Sequence, residues 1–130
     1  MSANVDAVRG GYEALARGDV PTILAALDDN VQWTEAEGFP YAGTYVGPKA
    51  VLDNVLMRLA TEWDGFSAVP TDFIDGGDRV VAMGRYGGVF KESGKTLDCD
   101  FAHIWTLDNG KVVGFKQYVD SALVRDVITP

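Results

Sequence analysis

The tetrapeptide Asp108-Asn-Gly-Lys111 constrains the fold more than any other stretch of this chain. An Asn-Gly pair suits the two positive-φ positions of a type I′ turn, whose twist matches that of a two-residue hairpin. The runs on either side, residues 96–107 and 112–119, are therefore expected as paired antiparallel strands. If Asp108 pairs with Lys111, partner numbers across this hairpin sum to 219 unless a bulge intervenes. Two further turn sequences, Asp75-Gly-Gly-Asp78 and Glu92-Ser-Gly-Lys95, bound strands over 66–75 and 79–90. The second half of the chain thus reads as four antiparallel strands.

The first half has a different period. Val5, Val8, Tyr12 and Leu15 fall at helical spacing, with Asn4 as the cap and Gly18 as the stop. Gly10-Gly11 inside this helix should cost about 1 kcal/mol each against Ala, which implies either close packing or room for a ligand beside Tyr12. Asp19 caps a second short helix with Pro21 in its first turn, and Ile23, Leu24 and Leu27 give it an apolar face. Residues 31–35 alternate at period two, so Val31, Trp33 and Glu35 share a face. A glycine-rich loop follows. Pro48 then begins a third helix with Val51, Leu52, Val55, Leu56, Leu59 and Trp63 as its apolar stripe, and Gly65 ends it. The last residues, 121–128, suit a short helix. Helices and strands segregated in this way indicate one α+β domain over residues 1–130. Its N-terminal helices would pack on the concave face of a curved antiparallel sheet, leaving a cone open at one end for a small molecule.

Charge and composition narrow the function classes. Nineteen acidic against eleven basic residues give a net charge of −8, and no basic cluster reverses that sign locally, which argues against nucleic acid as a partner. One cysteine, Cys99, and one histidine, His103, exclude a Cys/His zinc site and a paired-cysteine redox motif. No phosphate-cradling glycine motif precedes a helix, so no cofactor is implied. Neither a membrane span nor a signal peptide is present, and a cytoplasmic location is the expectation.

Several stretches, in this order and at this spacing, carry a resemblance: Tyr12-Glu-Ala-Leu-Ala-Arg-Gly-Asp19, Leu27-Asp-Asp-Asn-Val-Gln-Trp33, Gly43-Thr-Tyr-Val-Gly-Pro48, and His103–Val113 followed by Phe115-Lys-Gln-Tyr-Val-Asp120. Together they make the chain similar to the NTF2-like superfamily, in its SnoaL-like and ketosteroid-isomerase-like branch. The resemblance implies a cone-shaped α+β barrel. It also implies either a cofactor-independent acid–base enzyme (an isomerase, dehydratase, cyclase or hydrolase) or a ligand-binding domain without turnover. In either case a small apolar molecule would occupy the cone.

The same resemblance orients the sheet, placing the face of Ala102 and Gln117 toward the cavity. Phe101, His103, Trp105 and Tyr118 would then lie outside, and so apolar an outer face suggests a homodimer. Glu35 stands where the ketosteroid-isomerase-like enzymes keep their carboxylate base, and apolar surroundings would raise its pKa. Tyr12 stands like the phenol that donates to an oxyanion. The second acidic donor of those enzymes falls near Ala102, with Asp100 as its nearest replacement. Arg85 matches the arginine of epoxide-hydrolase relatives, but Gly87 and Gln117 replace their carboxylates. Arg85 and Asp100 are expected to pair inside the cavity. Glu35, Tyr12, Arg85, Asp100 and Gln117 are therefore the candidate catalytic residues. His103 is expected at the interface, and Asp120 reads equally as a terminal-helix cap or a cyclase-like acid.

Overall fold

A computed structural model describes residues 2–130. Helix α1 (Ala3–Ala16) begins two residues earlier than the sequence suggests. Ser2 caps it by accepting from Val5 N, while Asn4 donates across to the Gly77 carbonyl. Asp19 caps α2 (Val20–Ala25) through Thr22 N, with Pro21 in the first turn as expected. Leu27 does not extend that helix. It opens β1 (Leu27–Glu35), four residues before the start of the alternation at Val31. The glycine-rich loop holds an unforeseen short strand, β2 (Gly43–Val46), paired antiparallel with β1.

Helix α3 (Pro48–Val51) leads without a break into a π-helical turn (Leu52–Leu56) and α4 (Met57–Glu62). The extra residue of a π turn rotates the helix face by one position. Here it turns both Val55 and Leu56 into the core. Trp63 does not end this helix but begins β3 (Trp63–Asp75). Strands β4 (Arg79–Phe90), β5 (Thr96–Asp108) and β6 (Lys111–Val119) follow, and α5 (Ser121–Ile128) closes the chain. Asp120 caps α5 by accepting from Leu123 N.

The four consecutive strands pair as the turns predict, but the sheet has six strands in the order β2-β1-β6-β5-β4-β3. It is not wholly antiparallel, because β1 runs parallel to β6. The Asn109-Gly110 turn forms with φ of 50° and 79°, and Asp108 faces Lys111. A bulge then shifts the register. Leu107 pairs with Val112 but Thr106 pairs with Gly114, so Val113 is the extra residue and partner numbers sum to 220 beyond it. One inserted residue reverses which side chains share a face. Gln117 therefore stands opposite His103, not Ala102.

The expected face assignment is thus half wrong. Gln117 does point inward, but with Phe101, His103, Trp105 and Phe115, all of them buried in the core. Of the aromatics that the register counted from the turn places outside, Tyr118 alone is exposed. Phe101 and Trp105, two of the three aromatics on which the expectation of a homodimer rests, face inward, while the outer face of β5 carries the half-buried Ala102 and Ile104 beside Thr96, Asp98, Asp100 and Thr106. That strand alternates without exception, with Leu97, Cys99, Phe101, His103, Trp105 and Leu107 all buried.

Candidate functional site

The inner face of the sheet and the helices over it enclose a cavity of about 80 Å³. Pockets for drug-sized ligands measure roughly 300–1,000 Å³, so this one has room only for a compact molecule. Its walls are mostly apolar. Trp33 stacks on Phe115 with ring centres 3.9 Å apart, and Trp105 meets both edge-on. No lysine or arginine lines it among the described residues. Gly11 borders it from α1, and neither Gly10 nor Gly11 has an atom within 4 Å of where a Cβ would stand. Close helix packing does not account for the pair, and Gly11 alone leaves room on the cavity side beside Tyr12.

Glu35 ends β1 on the same side as Val31 and Trp33, and it is buried. Its Oε2 accepts from Trp33 Nε1 at 3.1 Å, the two side chains being neighbours at strand positions i and i+2. Oε1 accepts no hydrogen bond from any described residue. Among the described residues no buried side-chain oxygen or nitrogen lacks a partner, so Oε1 borders open space. That space is the cavity, which Glu35 lines. Burial pushes the carboxyl pKa up from 4.5 to about 8, and the single indole donor only partly offsets the effect.

Opposite it lies a hydrogen-bonded chain of neutral groups. Ala36 N donates to Gln117 Oε1 at 2.9 Å, and Gln117 Nε2 donates to Tyr86 Oη at 2.8 Å. Tyr86 Oη meets His103 Nε2 at 2.5 Å, and His103 Nδ1 meets Tyr12 Oη at 2.5 Å. Trp105 Nε1 then donates to Tyr12 Oη at 2.9 Å. The His103 ring stacks on Phe101 at 4.1 Å between centroids. Burial without a carboxylate partner lowers its pKa to about 3, so it is a neutral imidazole. Burial likewise raises both phenols well above their usual range, and the Glu35 charge adds to the effect at Tyr86. Cys99, from the same strand, is pushed up to about 11.

Three of the five candidate residues, Glu35, Tyr12 and Gln117, come together here. Arg85 and Asp100 do not. Arg85 has the opposite strand parity to Tyr86, so it projects from the convex face, where it is half exposed. It donates there to Asp100 Oδ1 at 2.8 Å and Asp98 Oδ1 at 2.6 Å. The two residues do pair, but outside the cavity. Asp120 is spent on capping α5. His103, expected at an interface, is the centre of the buried chain, and Tyr86 was not anticipated at all. The signal for both lay in β5 and its neighbour. Asp98 and Asp100 alternate with Leu97, Cys99 and Phe101, which puts odd-numbered β5 residues inside and, by pairing, Tyr86 with Cys99.

Comparison with known proteins returned one family model, described as a SnoaL-like domain, matching residues 8–115. Among solved structures, an NTF2-like protein from Burkholderia thailandensis is 38% identical, with all of both chains covered and a TM-score of 0.95. An NTF2-like protein of unknown function from Burkholderia pseudomallei is 32% identical, again over all of both chains, with a TM-score of 0.92. TerC, co-crystallized with polyporic acid, is 28% identical over 99% of this chain and 100% of its own, with a TM-score of 0.88. No curated protein matched. No helix among the described residues is long and apolar enough to cross a membrane.

Proposed function

The chain belongs to the SnoaL-like domain family, and from the site this fold builds we propose that it is a cofactor-independent acid–base enzyme acting on a compact, largely apolar molecule. Glu35 is the proton-transfer group. The molecule carries an oxygen that becomes negative as a proton leaves a neighbouring atom, and Tyr12 faces that oxygen as hydrogen-bond donor. The observation that carries this reading is the buried Glu35 carboxyl, held by one indole donor and open at Oε1 to a largely apolar cavity. With a pKa of about 8 the group is chiefly the neutral acid at pH 7 and becomes the base above pH 8. A group titrating this close to the working pH suits transfer in either direction. A relative that co-crystallized with polyporic acid supports an organic ligand for the chain.

The test is exchange of α-hydrogens for deuterium in small cyclic ketones in D₂O, followed by proton NMR. Exchange should be catalysed, should rise with pH and should level off above pH 8. General-base catalysis contributes roughly 10²–10⁴-fold, so Glu35→Gln should slow exchange at least about 100-fold. Exchange unchanged in Glu35→Gln would overturn the reading. Binding without exchange at any pH would instead favour the non-catalytic ligand-binding domain.

A further inference from the structure

Helix α1 lines the cavity with Ala7, Val8, Gly11, Tyr12 and Leu15. Ala7, Gly11 and Leu15 are spaced four apart, so they form a stripe along one face of the helix. Ala7 is exposed, and Gly11 and Leu15 are half-buried, which puts the mouth of the cavity along this stripe. Helix α1 packs on α2, β3 and β4, whereas α4 packs on β3 and the π-helical turn. Leu59 of α4, Phe66 of β3 and Ala26, all half-buried, complete the rim. At the inner end Glu35 is buried, with Oε1 open to the cavity and unpartnered among the described residues. A free carboxyl oxygen at the floor and an apolar rim at the mouth suit a ligand that enters polar end first.

We propose that Gly11 sets the size limit of the ligand: the end remote from the ligand's oxygen passes over the Gly11 backbone, through space that a side chain there would fill. The inference rests on the proposed function for which end of the ligand lies at Glu35 and Tyr12, and adds the residue that decides how far the other end extends. The backbone does not call for glycine at this position, since neither Gly10 nor Gly11 has a positive φ and Ala is the better helix former. A Cβ at either residue would meet nothing within 4 Å. The two differ in what that open space is. Gly11 lines the cavity and Gly10 does not, so a methyl group at residue 11 would stand in the ligand's path and one at residue 10 would stand outside it.

Volume and chemistry then define the ligand class. The cavity of about 80 Å³ is near half the roughly 150 Å³ of a dry cavity that holds benzene. A ring with its oxygen at Tyr12 therefore takes up the enclosed space, and a substituent opposite that oxygen reaches the mouth. The rim there offers hydrocarbon and one aromatic ring, from Ala7, Leu15, Ala26, Leu59 and Phe66, so the substituent is apolar. The ligand is a neutral cyclic carbonyl compound with a short alkyl group across the ring from its oxygen. Gly11 touches no reacting atom and is a specificity-determining residue in this scheme.

The chain has three tryptophans, of which Trp33 and Trp105 line the cavity and Trp63 does not. Their indole N–H signals in proton–nitrogen spectra of ¹⁵N-labelled protein thus report binding, with Trp63 as the internal reference. Wild type, Gly10→Ala and Gly11→Ala are titrated at pH 7 with cyclohexanone and with 4-ethylcyclohexanone. Both ketones should move the Trp33 and Trp105 signals of the wild type. Gly11→Ala should weaken 4-ethylcyclohexanone at least about tenfold, the loss expected of overpacking by a methyl group, and weaken cyclohexanone far less. Gly10→Ala should bind both as the wild type does, and the thermal midpoints of the two variants should rise together. A wild type that takes cyclohexanone but excludes 4-ethylcyclohexanone overturns the inference, as does Gly11→Ala that binds like Gly10→Ala. If neither ketone binds the wild type, the inference falls together with the proposed function. Binding is read here without turnover, so ketones that follow this size rule yet exchange no hydrogen refute the role of Glu35 and leave that of Gly11 standing.

Discussion

Replacing Glu35 by Gln should change the shape of the stability–pH curve as well as its height. The native carboxyl pKa is raised from 4.5 to about 8, so between those values the folded state holds a proton that the unfolded state has lost. Stability then falls as pH rises, because it increases with pH only where the unfolded state binds more protons. His103 has the opposite sign. Its pKa is lowered from 6.5 to about 3, so in that window the unfolded state binds the extra proton and stability rises with pH. Each gap corresponds to about 5 kcal/mol at about 1.36 kcal/mol per pH unit. In the wild type stability should climb from pH 3 to 4.5, stay level to 6.5 where the two slopes cancel, and fall toward pH 8. In Glu35→Gln the climb should continue to 6.5 with no alkaline fall. From pH 5 to pH 9 the stability difference between the two proteins should shift by about 4 kcal/mol in favour of the variant. Urea titrations at unit pH steps measure it, urea being chosen because it adds no salt. Curves that run parallel above pH 6.5 would mean that Glu35 ionises like a solvated carboxylate, and the reasoning about the site would fail with it.

Two glycines should respond in opposite ways. A Cβ at Gly84 would stand 2.2 Å from the Val69 carbonyl oxygen and 2.7 Å from Phe101 Cζ, so Gly84→Ala should cost at least about 1–3 kcal/mol by overpacking. Gly10 meets nothing within 4 Å inside α1, so Gly10→Ala should raise stability by about 1 kcal/mol; thermal melts of both variants check the pair. Arg85→Ala removes two ion pairs that sit on the surface, where solvent screens them, so it should leave the thermal midpoint nearly unchanged. It should also leave ketone exchange intact, and a large loss of exchange would return Arg85 to the catalytic machinery.

The parts of this fold that were legible in the sequence are those decided locally. Asn109-Gly110, the Asp19 cap and the alternation of Val31, Trp33 and Glu35 each depend on a few adjacent residues, and each stands as read. Strand β2 was missed because Gly43–Val46 has little side-chain pattern of its own and is a strand only by pairing with β1. The parallel contact of β1 with β6 joins residues some eighty positions apart, and no local signal marks it. The costliest error came from Val113, a single bulged residue. A hairpin register propagated from its turn carries no warning of an insertion, and one slip exchanged the inside and outside of β5. The polar alternation within β5 held the correction, because Asp98 and Asp100 tolerate only the convex face. In the candidate site, Glu35 and Tyr12 were found through resemblance plus parity, whereas Tyr86 and the inward His103 required the true register.

The corrected register also changes the meaning of the chain's acidity. A net charge of −8 would be a poor surrounding for a reaction that generates another negative charge if the acids faced the cavity. Among the described residues they do not, except for Glu35, and burial keeps Glu35 neutral at pH 7. No cation among the described residues lines the cavity either, and Arg85 is committed to Asp98 and Asp100 on the far side of the sheet. On the proposed chemistry a developing anion is stabilised by oriented neutral donors, which act more strongly in a water-poor site than at the surface. Trp105, His103 and Gln117 leave the Tyr12 and Tyr86 phenols with one hydrogen to offer between them. A site of that kind favours a ligand that enters neutral and becomes negative at a single oxygen. In the proposed step the Glu35 carboxylate that receives the proton loses its own charge, so the cavity as a whole never carries more than one negative charge.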